Sequence, residues 1–199
     1  MKRLLLVPLV LIVTVGTAWA QFGARPSGFA EYQSDEQQLT FFYPESWFVA
    51  EADGNIMIAN RESLTDESAT EMPDISPGDT ALVIGIMPTF LMAMMGIPVD
   101  SISGILDGMF ETVMSAEGNA IGNDADELYD FDGLSVATTT FDDSEQDVSG
   151  IFFVAHEQEE VIMFAVAYGF RDSLDTHRET LARLVSTAEF TGDLESLMP

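Results

Sequence analysis

Apolar and polar positions alternate along most of the chain in a way that predicts strands, with two stretches of helical spacing between them. The clearest helix lies between Ser101 and Gly118, where apolar residues recur every three or four positions. Two strongly apolar strands are expected over Ser149 to His156 and Val161 to Phe170, and the charged turn between them keeps this hairpin soluble. A second helix is expected to open near Asp172. This order of elements predicts an α+β fold with helices packed on one antiparallel sheet.

The first half of the chain predicts a meander of antiparallel strands. A proline turn at Pro44 and an Asp53-Gly54 hairpin signal separate three short runs rich in β-branched and aromatic residues. A long polar loop follows, and after it comes an apolar run typical of a buried strand. The predicted strands are Gln38 to Tyr43, Trp47 to Ala52, Asn55 to Asn60 and Thr80 to Met87.

The segment from Leu39 to Trp47 resembles a known family. Its sequence, LTFFYPESW, is similar to the opening of PsbP-like domains, where an aromatic strand runs into a Tyr-Pro-x-x-Trp turn. The Pro77-Gly78-Asp79 turn before a buried strand also resembles that family, as does the apolar strand that runs through Phe170 and Arg171 into a helix. The resemblance extends over about residues 38 to 190.

This resemblance implies a Mog1/PsbP-like fold, in which an antiparallel β-sheet is sandwiched by helices. It also implies export, because many bacterial relatives are exported proteins. The photosynthetic members are extrinsic photosystem subunits that aid calcium and manganese retention. Here the only lysine is Lys2, so a basic docking surface of that kind is not expected.

The N-terminus has the three parts of a secretory signal peptide. Lys2 and Arg3 precede an apolar run from Leu4 to Val15, and the small residues Ala18 and Ala20 frame a cleavage site. The apolar run is shorter than the roughly 20 residues that a membrane span needs. We therefore expect residues 1–20 to be removed and the protein to be secreted or otherwise extracytoplasmic. An uncleaved N-terminal anchor is the alternative.

The chain after the signal peptide divides into three parts. We assign residues 21–37 to a linker, 38–191 to one PsbP-like domain and 192–199 to a C-terminal tail.

Composition limits what the mature chain can bind. Cysteine is absent, which excludes thiol catalysis. The chain after residue 20 carries five arginines against 34 acids, a formal charge of −29, which disfavours nucleic acid and anionic membranes. No membrane span is expected in the mature chain.

A methionine-rich segment between Pro88 and Pro98 is the first candidate site. It is uncharged, and adaptable methionine surfaces bind apolar partners. An exposed flap would bind an unknown protein or a hydrophobic ligand, whereas the alternative is a core or crossover segment. Thioethers also suit cuprous copper, but no histidine or cysteine lies nearby. The candidate binding residues are Phe90, Leu91, Met92, Met94 and Met95.

Two acidic clusters are the second candidate site, because calcium takes six to eight oxygen ligands. Neither cluster matches an EF-hand loop, and if the strands between them pair as a hairpin, the clusters lie at its opposite ends. Solvated turn charge is the alternative to a calcium site. The candidate calcium ligands are Asp124, Asp126, Asp130, Asp132, Asp142 and Asp143.

The sequence contains no recognisable catalytic motif. A Gly-x-Ser-x-Gly elbow and a His-Glu-x-x-His zinc helix are both missing. A hydrolase would need His156 or His177 in a cleft beside a hydroxyl or a carboxylate. Arg171 and Arg178 are suited to clamping an anion, or alternatively to pairing with local acids. We therefore predict an exported, non-catalytic accessory or binding module, with a calcium-dependent binding protein and a hydrolase as alternatives.

Overall fold

The computed structural model describes residues 25–52, 55–65, 75–117, 120–122, 127–143, 148–158, 160–193 and 197. The predicted signal peptide over residues 1–20 and the Asp53-Gly54 turn lie outside this part of the chain. Within it, no helix has both the length and the apolar character needed to cross a bilayer.

The described elements follow the predicted order of strands, helix, strands and helix, with an additional short helix before the long one. Most strand and helix boundaries fall within a few residues of those expected from the sequence. The strands are β1 (Phe29–Ser34), β2 (Leu39–Pro44), β3 (Phe48–Ala52), β4 (Asn55–Ala59), β5 (Thr80–Pro88), β6 (Ala120–Gly122), β7 (Glu127–Phe131), β8 (Leu134–Asp143), β9 (Val148–Gln158), β10 (Val161–Gly169) and β11 (Glu189–Phe190). The helices are α1 (Thr89–Met94), α2 (Ile102–Glu117) and α3 (Arg171–Ser186), with a 3₁₀ turn at Glu62–Thr65.

The main sheet has the strand order β3-β4-β5-β10-β9-β8-β6, and β7 pairs with β8 beside β6. All described pairings are antiparallel. The predicted hairpin of β9 and β10 lies in the middle of this sheet. The other side of β10 pairs with β5, from Val161 opposite Pro88 to Gly169 opposite Thr80. Both edges of β10 are therefore paired, and most side chains of these central strands are buried, which explains their nearly continuous apolar sequences.

Alternate side chains of the central strands enter two separate cores. Phe153 and Ala165 belong to the core beneath α3 and a smaller, three-stranded sheet. Phe152 and Ile162, on the same two strands, belong to the core beneath α1 and α2. Helical layers therefore cover both faces of the main sheet, and the predicted α+β fold with an antiparallel sheet between helices is confirmed.

A second, three-stranded sheet has the order β1-β2-β11. The predicted meander is wrong at its first step, because β2 pairs with β1 and β11 rather than with β3. Regular structure also begins earlier than expected, since β1 lies inside the range 21–37 that the sequence assigned to a linker. β1 carries few apolar side chains, and only Phe29 and Ser34 at its two ends are buried.

The α1–α2 side of the main sheet is covered unevenly. α2 packs mainly against β8 and β9. Farther along the same face, Met57, Val83 and Val166 form one row across β4, β5 and β10, because each is the register partner of the next. All three side chains are only half-buried. An apolar part of the sheet therefore remains accessible beside the region that the helices cover.

Candidate interaction surface

The methionine-rich segment, for which the sequence suggested an exposed flap or a core segment, forms a short helix, α1. Pro88 immediately precedes it, a position compatible with a helix start because the ring fixes φ and no amide hydrogen is needed. The helix ends at Met94, and Gly96 just beyond it has a φ of +81°, which is unfavourable for residues with a side chain. The amide of Gly96 donates to the carbonyl of Ala93 at 3.1 Å, and that of Ile97 to Met92 at 3.0 Å. This pair of bonds is the Schellman motif.

Two buried side chains attach α1 to the core. Met92 is fully buried and Ile97 is 5% exposed, and both belong to the core under α2. This is the apolar contact that accompanies a Schellman ending. At the other end, the amide of Thr89 donates to the carbonyl of Glu160 at 2.8 Å, and the Thr89 hydroxyl donates to the same oxygen at 3.1 Å. The helix is thus fixed at both ends.

The outer side of this segment is apolar and exposed. Phe90 and Met94 are four residues apart and share one side of α1, with 43% and 79% of their surfaces exposed. Met95 and Val99, at 49% and 40%, continue this surface beyond the helix. We call these four residues the α1 patch. Among the described residues, the other exposed large apolar side chains are Phe48 on β3 and Leu128 on β7.

The structure divides the predicted binding residues between surface and core. Phe90, Met94 and Met95 are exposed, and Leu91 is half-buried. Met92 does not reach the surface, so its assignment to the binding surface is wrong and it acts as an anchor instead. Val99 was missed because it lies beyond Pro98, outside the methionine-rich segment.

The α1 patch continues towards the half-covered part of the sheet. Met87, Phe164 and Val166 pack against the core that contains Met92, but each remains half-buried. The ring of Phe164 lies over Gly85, where a Cβ atom would approach ring atom Cζ to 2.7 Å. A glycine at position 85 therefore lets this aromatic ring lie flat on the sheet.

Exposed acids border the α1 patch. Glu160 is adjacent to the start of α1 through its contact with Thr89. At the other end, Asp100 follows Val99 directly, and Asp107 lies on the exposed side of α2. The segment Ile97–Pro98 crosses α2 close to Gly108, where a Cβ atom would lie 2.8 Å from Ile97 Cγ2. This close approach brings the patch and the acids of α2 together.

Every arginine after residue 20 is engaged elsewhere in the described structure. Each of four guanidinium groups forms an ion pair, and Arg183 lies 4.9 Å from the ring centroid of Phe131. The patch therefore has acids but no described cation beside it. The ion pairs are Arg25 with Glu45, Arg61 with Asp79, Arg171 with Asp142, and Arg178 with Glu127 and Asp175.

Arg171 and Arg178 form ion pairs with acids. Of the two roles that the sequence left open for them, this is pairing with local acids and not the clamping of an anion. One nitrogen of Arg171 donates to both carboxylate oxygens of Asp142, at 2.8 and 2.7 Å. Both arginines also line a small surface pocket with Thr140 and Ser149, of about 170 Å³ including open solvent. Ligand sites of drug-like size occupy about 300–1,000 Å³, so this pocket accommodates at most a very small molecule.

The predicted calcium ligands do not converge in the described structure. Asp130 and Asp132 lie at the turn between β7 and β8, where an Asp130 oxygen accepts a bond from the Gly133 amide. Asp142 lies at the other end of β8, roughly 20–30 Å away at about 3.3 Å per residue. Within the described ranges, no group of three acids or histidines is arranged to hold a metal ion. Asp124, Asp126 and the side chain of Asp143 lie outside the described residues.

His177 on α3 packs edge-on against Trp47, with ring centroids 5.3 Å apart. Burial lowers the pKa of its imidazole below the usual 6.5, because the charged form is poorly solvated there. Packing against an indole is a structural arrangement rather than the contact with a hydroxyl or carboxylate that a hydrolase would use. The side chain of His156 lies outside the described residues.

Comparison with known proteins gives only structural likenesses. No known protein family matches the chain, and no curated protein matches it in sequence. The solution structure of cyanobacterial PsbP (CyanoP) from Synechocystis sp. PCC 6803 is similar over 84% of this chain and 95% of its own, with 14% identity and a TM-score of 0.49. The name of this similar structure is that of the family that the sequence resembles.

Two further solved structures are similar at lower scores. A protein from Bacteroides thetaiotaomicron VPI-5482 has 12% identity and a TM-score of 0.45, and the likeness spans 83% of this chain but half of that one. Protein PA94 of unknown function from Pseudomonas aeruginosa has 9% identity and a TM-score of 0.41, over 80% of this chain and 94% of its own. At these scores, none of the three transfers a residue role to this chain.

Proposed function

We propose that this chain is an exported, non-catalytic binding module that contacts its partner through the α1 patch. The observation that carries the proposal is the combination of a fixed helix with exposed apolar side chains. Met92, Ile97 and the Thr89–Glu160 bonds hold α1 in place, so the exposed side chains need little ordering when a partner binds. Preorganisation of this kind improves affinity because less conformational entropy is lost.

The exposure of the patch is hard to attribute to packing within the chain. A methionine that is 79% exposed contributes little to the core, and its flexible thioether adapts to differently shaped apolar surfaces. Phe90 adds a large aromatic contact, and aromatic residues and methionine are enriched at interfaces. Export follows from the N-terminal sequence, and the charge of −29 helps keep a protein with an exposed apolar patch soluble.

A calcium-dependent function has weaker support. Asp142 is bound by Arg171 and also accepts a bond from Ser149 at 2.7 Å, so a calcium ion would have to displace a paired cation. Asp130 is used by its own turn. The acids at the two ends of β8 are also too far apart to share one ion.

Capture from the cell envelope of the source organism tests the proposal. The mature chain and the double variant Phe90→Ser, Met94→Gln are immobilised and exposed to solubilised envelope proteins, and retained proteins are identified by mass spectrometry. We expect a partner retained by the natural chain and lost with the variant. The matched control is Phe48→Ser with Leu128→Gln, which removes two exposed apolar residues elsewhere. Equal retention by all three proteins would contradict a role for the α1 patch.

A further inference from the structure

We propose that the partner of the α1 patch presents a cationic amphipathic helix, with apolar side chains against the patch and lysine or arginine at its borders. This inference rests on the proposed function, because it concerns the chemistry of the partner at the same surface. The arrangement of charge around the patch and the bonding of the α1 backbone support it independently.

The charge around the patch selects the sign of the partner. Glu160 borders the start of α1, and Asp100 and Asp107 border the other end. No described cation lies among them, because the arginines after residue 20 contact Glu45, Asp79, Asp142, Glu127, Asp175 and Phe131 elsewhere. A neutral partner would desolvate these acids without compensation, and an acidic one would be repelled. A partner must therefore cover the apolar patch and also compensate the charge of the acids around it. Lysine and arginine do both, because their aliphatic stems cover apolar surface while their charged ends reach the acids.

The backbone of α1 selects the kind of element that binds. At its C-terminal end the amides of Met95, Gly96 and Ile97 are bonded within the segment, and at its start Thr89 is bonded to Glu160. The patch therefore presents a short helix and its tight ending rather than an extended strand edge, so a strand cannot extend it by main-chain pairing. A helix satisfies its own backbone and can bury one apolar face without leaving amides unpaired.

The half-covered sheet face adds room for such a helix. Met87, Phe164 and Val166 are half-buried beside the core that anchors α1, and Met57 and Val83 extend the row across two further strands. The outer two of three neighbouring strands lie about 9.6 Å apart at the usual spacing of about 4.8 Å, which is close to the 10–12 Å diameter of a helix with its side chains. None of these five residues is charged, so the cations of the partner are needed only at the border.

Three synthetic amphipathic peptides of about 18 residues test the inference, since shorter isolated helices are marginal in water. They share a leucine face and differ on the polar face, which consists of lysine, glutamine or glutamate. Binding to the mature chain is measured by isothermal titration calorimetry at about 0.15 M salt, where charges beyond about 8 Å are largely screened. We expect the lysine peptide to bind about tenfold or more tightly than the glutamine peptide, and the glutamate peptide to bind least.

Matched variants separate local from general charge attraction. Asp100→Asn with Glu160→Gln is expected to weaken the lysine peptide about 3- to 10-fold and to leave the glutamine peptide unchanged. Glu31→Gln with Asp35→Asn removes the same charge from exposed positions at β1, in the small sheet on the other side of the main sheet. This control is expected to change the affinity less than about twofold, because screening limits distant charges.

The outcomes distinguish the inference from the proposed function. If the lysine and glutamine peptides bind equally, and Phe90→Ser with Met94→Gln weakens both, the patch binds apolar helices but the cationic partner is wrong. If the lysine peptide binds but is insensitive to the patch variant, the attraction is non-specific and both proposals fail. Equal effects of the border acids and the β1 control would also overturn the inference, because no local recognition of charge would remain.

Discussion

Replacing Met92 and Met94 by alanine, one at a time, tests the division of α1 into an anchor and a binding surface. The two residues lie two positions apart in one short helix, and both changes remove the same atoms. Met92 is fully buried, whereas 79% of the Met94 surface is exposed. If Met92 packs in the core and Met94 serves binding, the same substitution should strongly lower the free energy of unfolding at position 92 and leave it almost unchanged at position 94.

The expected cost follows from burial. Truncating a fully buried methionine removes its transfer free energy and leaves a cavity, which together cost about 2–5 kcal/mol. Met92→Ala should therefore lower the free energy of unfolding by about 3 kcal/mol, a large part of the 5–15 kcal/mol typical of folded domains. Met94→Ala should change it by less than about 0.5 kcal/mol, as surface substitutions usually do.

Urea unfolding followed by circular dichroism measures the difference. With a slope of about 2 kcal/mol/M, Met92→Ala should lower the midpoint by about 1.5 M, and Met94→Ala by less than about 0.25 M. Met92→Leu is the control, because a swap of similar volume usually costs less than about 1.5 kcal/mol. Equal midpoint shifts for the two alanine variants would refute the assignment of Met92 as anchor and Met94 as surface.

Three further predictions concern local conformation and ionisation. Gly96→Ala should lower the free energy of unfolding by about 1–2 kcal/mol in the same urea assay, because alanine disfavours the φ of +81°. An unchanged unfolding midpoint would contradict the Schellman motif at the end of α1. The pKa of His177, measured by NMR with His156→Gln for assignment, should lie below 6.5. Its contribution to folding stability is present above pH 6.5, where the imidazole is neutral in both states. This contribution is lost as the pH falls from 6.5 towards the lower pKa of the folded state, because the unfolded chain takes up the proton first. A pKa at or above 6.5 would mean that the acidic surface outweighs burial. Tyr129 should ionise near pH 12, because burial and its 2.6 Å bond to Glu127 raise its pKa from 10.0 to about 12. The contribution of Tyr129 to folding stability should be present below pH 10 and lost as the pH rises towards 12. A spectrophotometric titration, with Tyr129→Phe for assignment, measures this ionisation. Ionisation near pH 10 would contradict the prediction.

Strongly patterned elements were predictable because local sequence determines them. The apolar runs of β9 and β10, separated by charged residues, specify a buried hairpin, and the spacing in α2 specifies a helix with one apolar side. Both signals span many residues. The position of the hairpin in the centre of the sheet was not predictable, because it depends on the pairing of β10 with the distant strand β5.

Short or weakly patterned elements were missed for physical reasons. α1 has only six residues, too few for a helical period to emerge, and its ending depends on a single glycine. In β1, Ala30 and Tyr32 are only half-buried and Ser34 is polar, so its apolar alternation is weak. The pairing of β2 with β11 is specified by tertiary contacts and not by the turn at Pro44.

The candidate site was predictable in composition but not in orientation. An uncharged segment rich in methionine indicates either a core or a binding surface, and α1 is both. Which methionine faces inwards depends on where the helix begins, and this is fixed by the bonds from Thr89 to Glu160. Asp132 and Asp142 lie at opposite ends of β8, as expected if the strands between the two acidic clusters pair as a hairpin. The pairing of Asp142 with Arg171 was not predictable, because it depends on the placement of α3.

The order of strands in the main sheet also has a consequence for the growing chain. Synthesis produces β5 long before β10, yet β10 is the strand that joins β5 to β9. Before Val161–Gly169 is synthesised, any sheet that β3, β4 and β5 formed would leave the apolar edge of β5 unpaired, and unpaired edges of this kind aggregate readily. Closure of the sheet is therefore a late, non-local event that should make folding slow. A chain kept unfolded until its last third is present would avoid the exposed edge altogether.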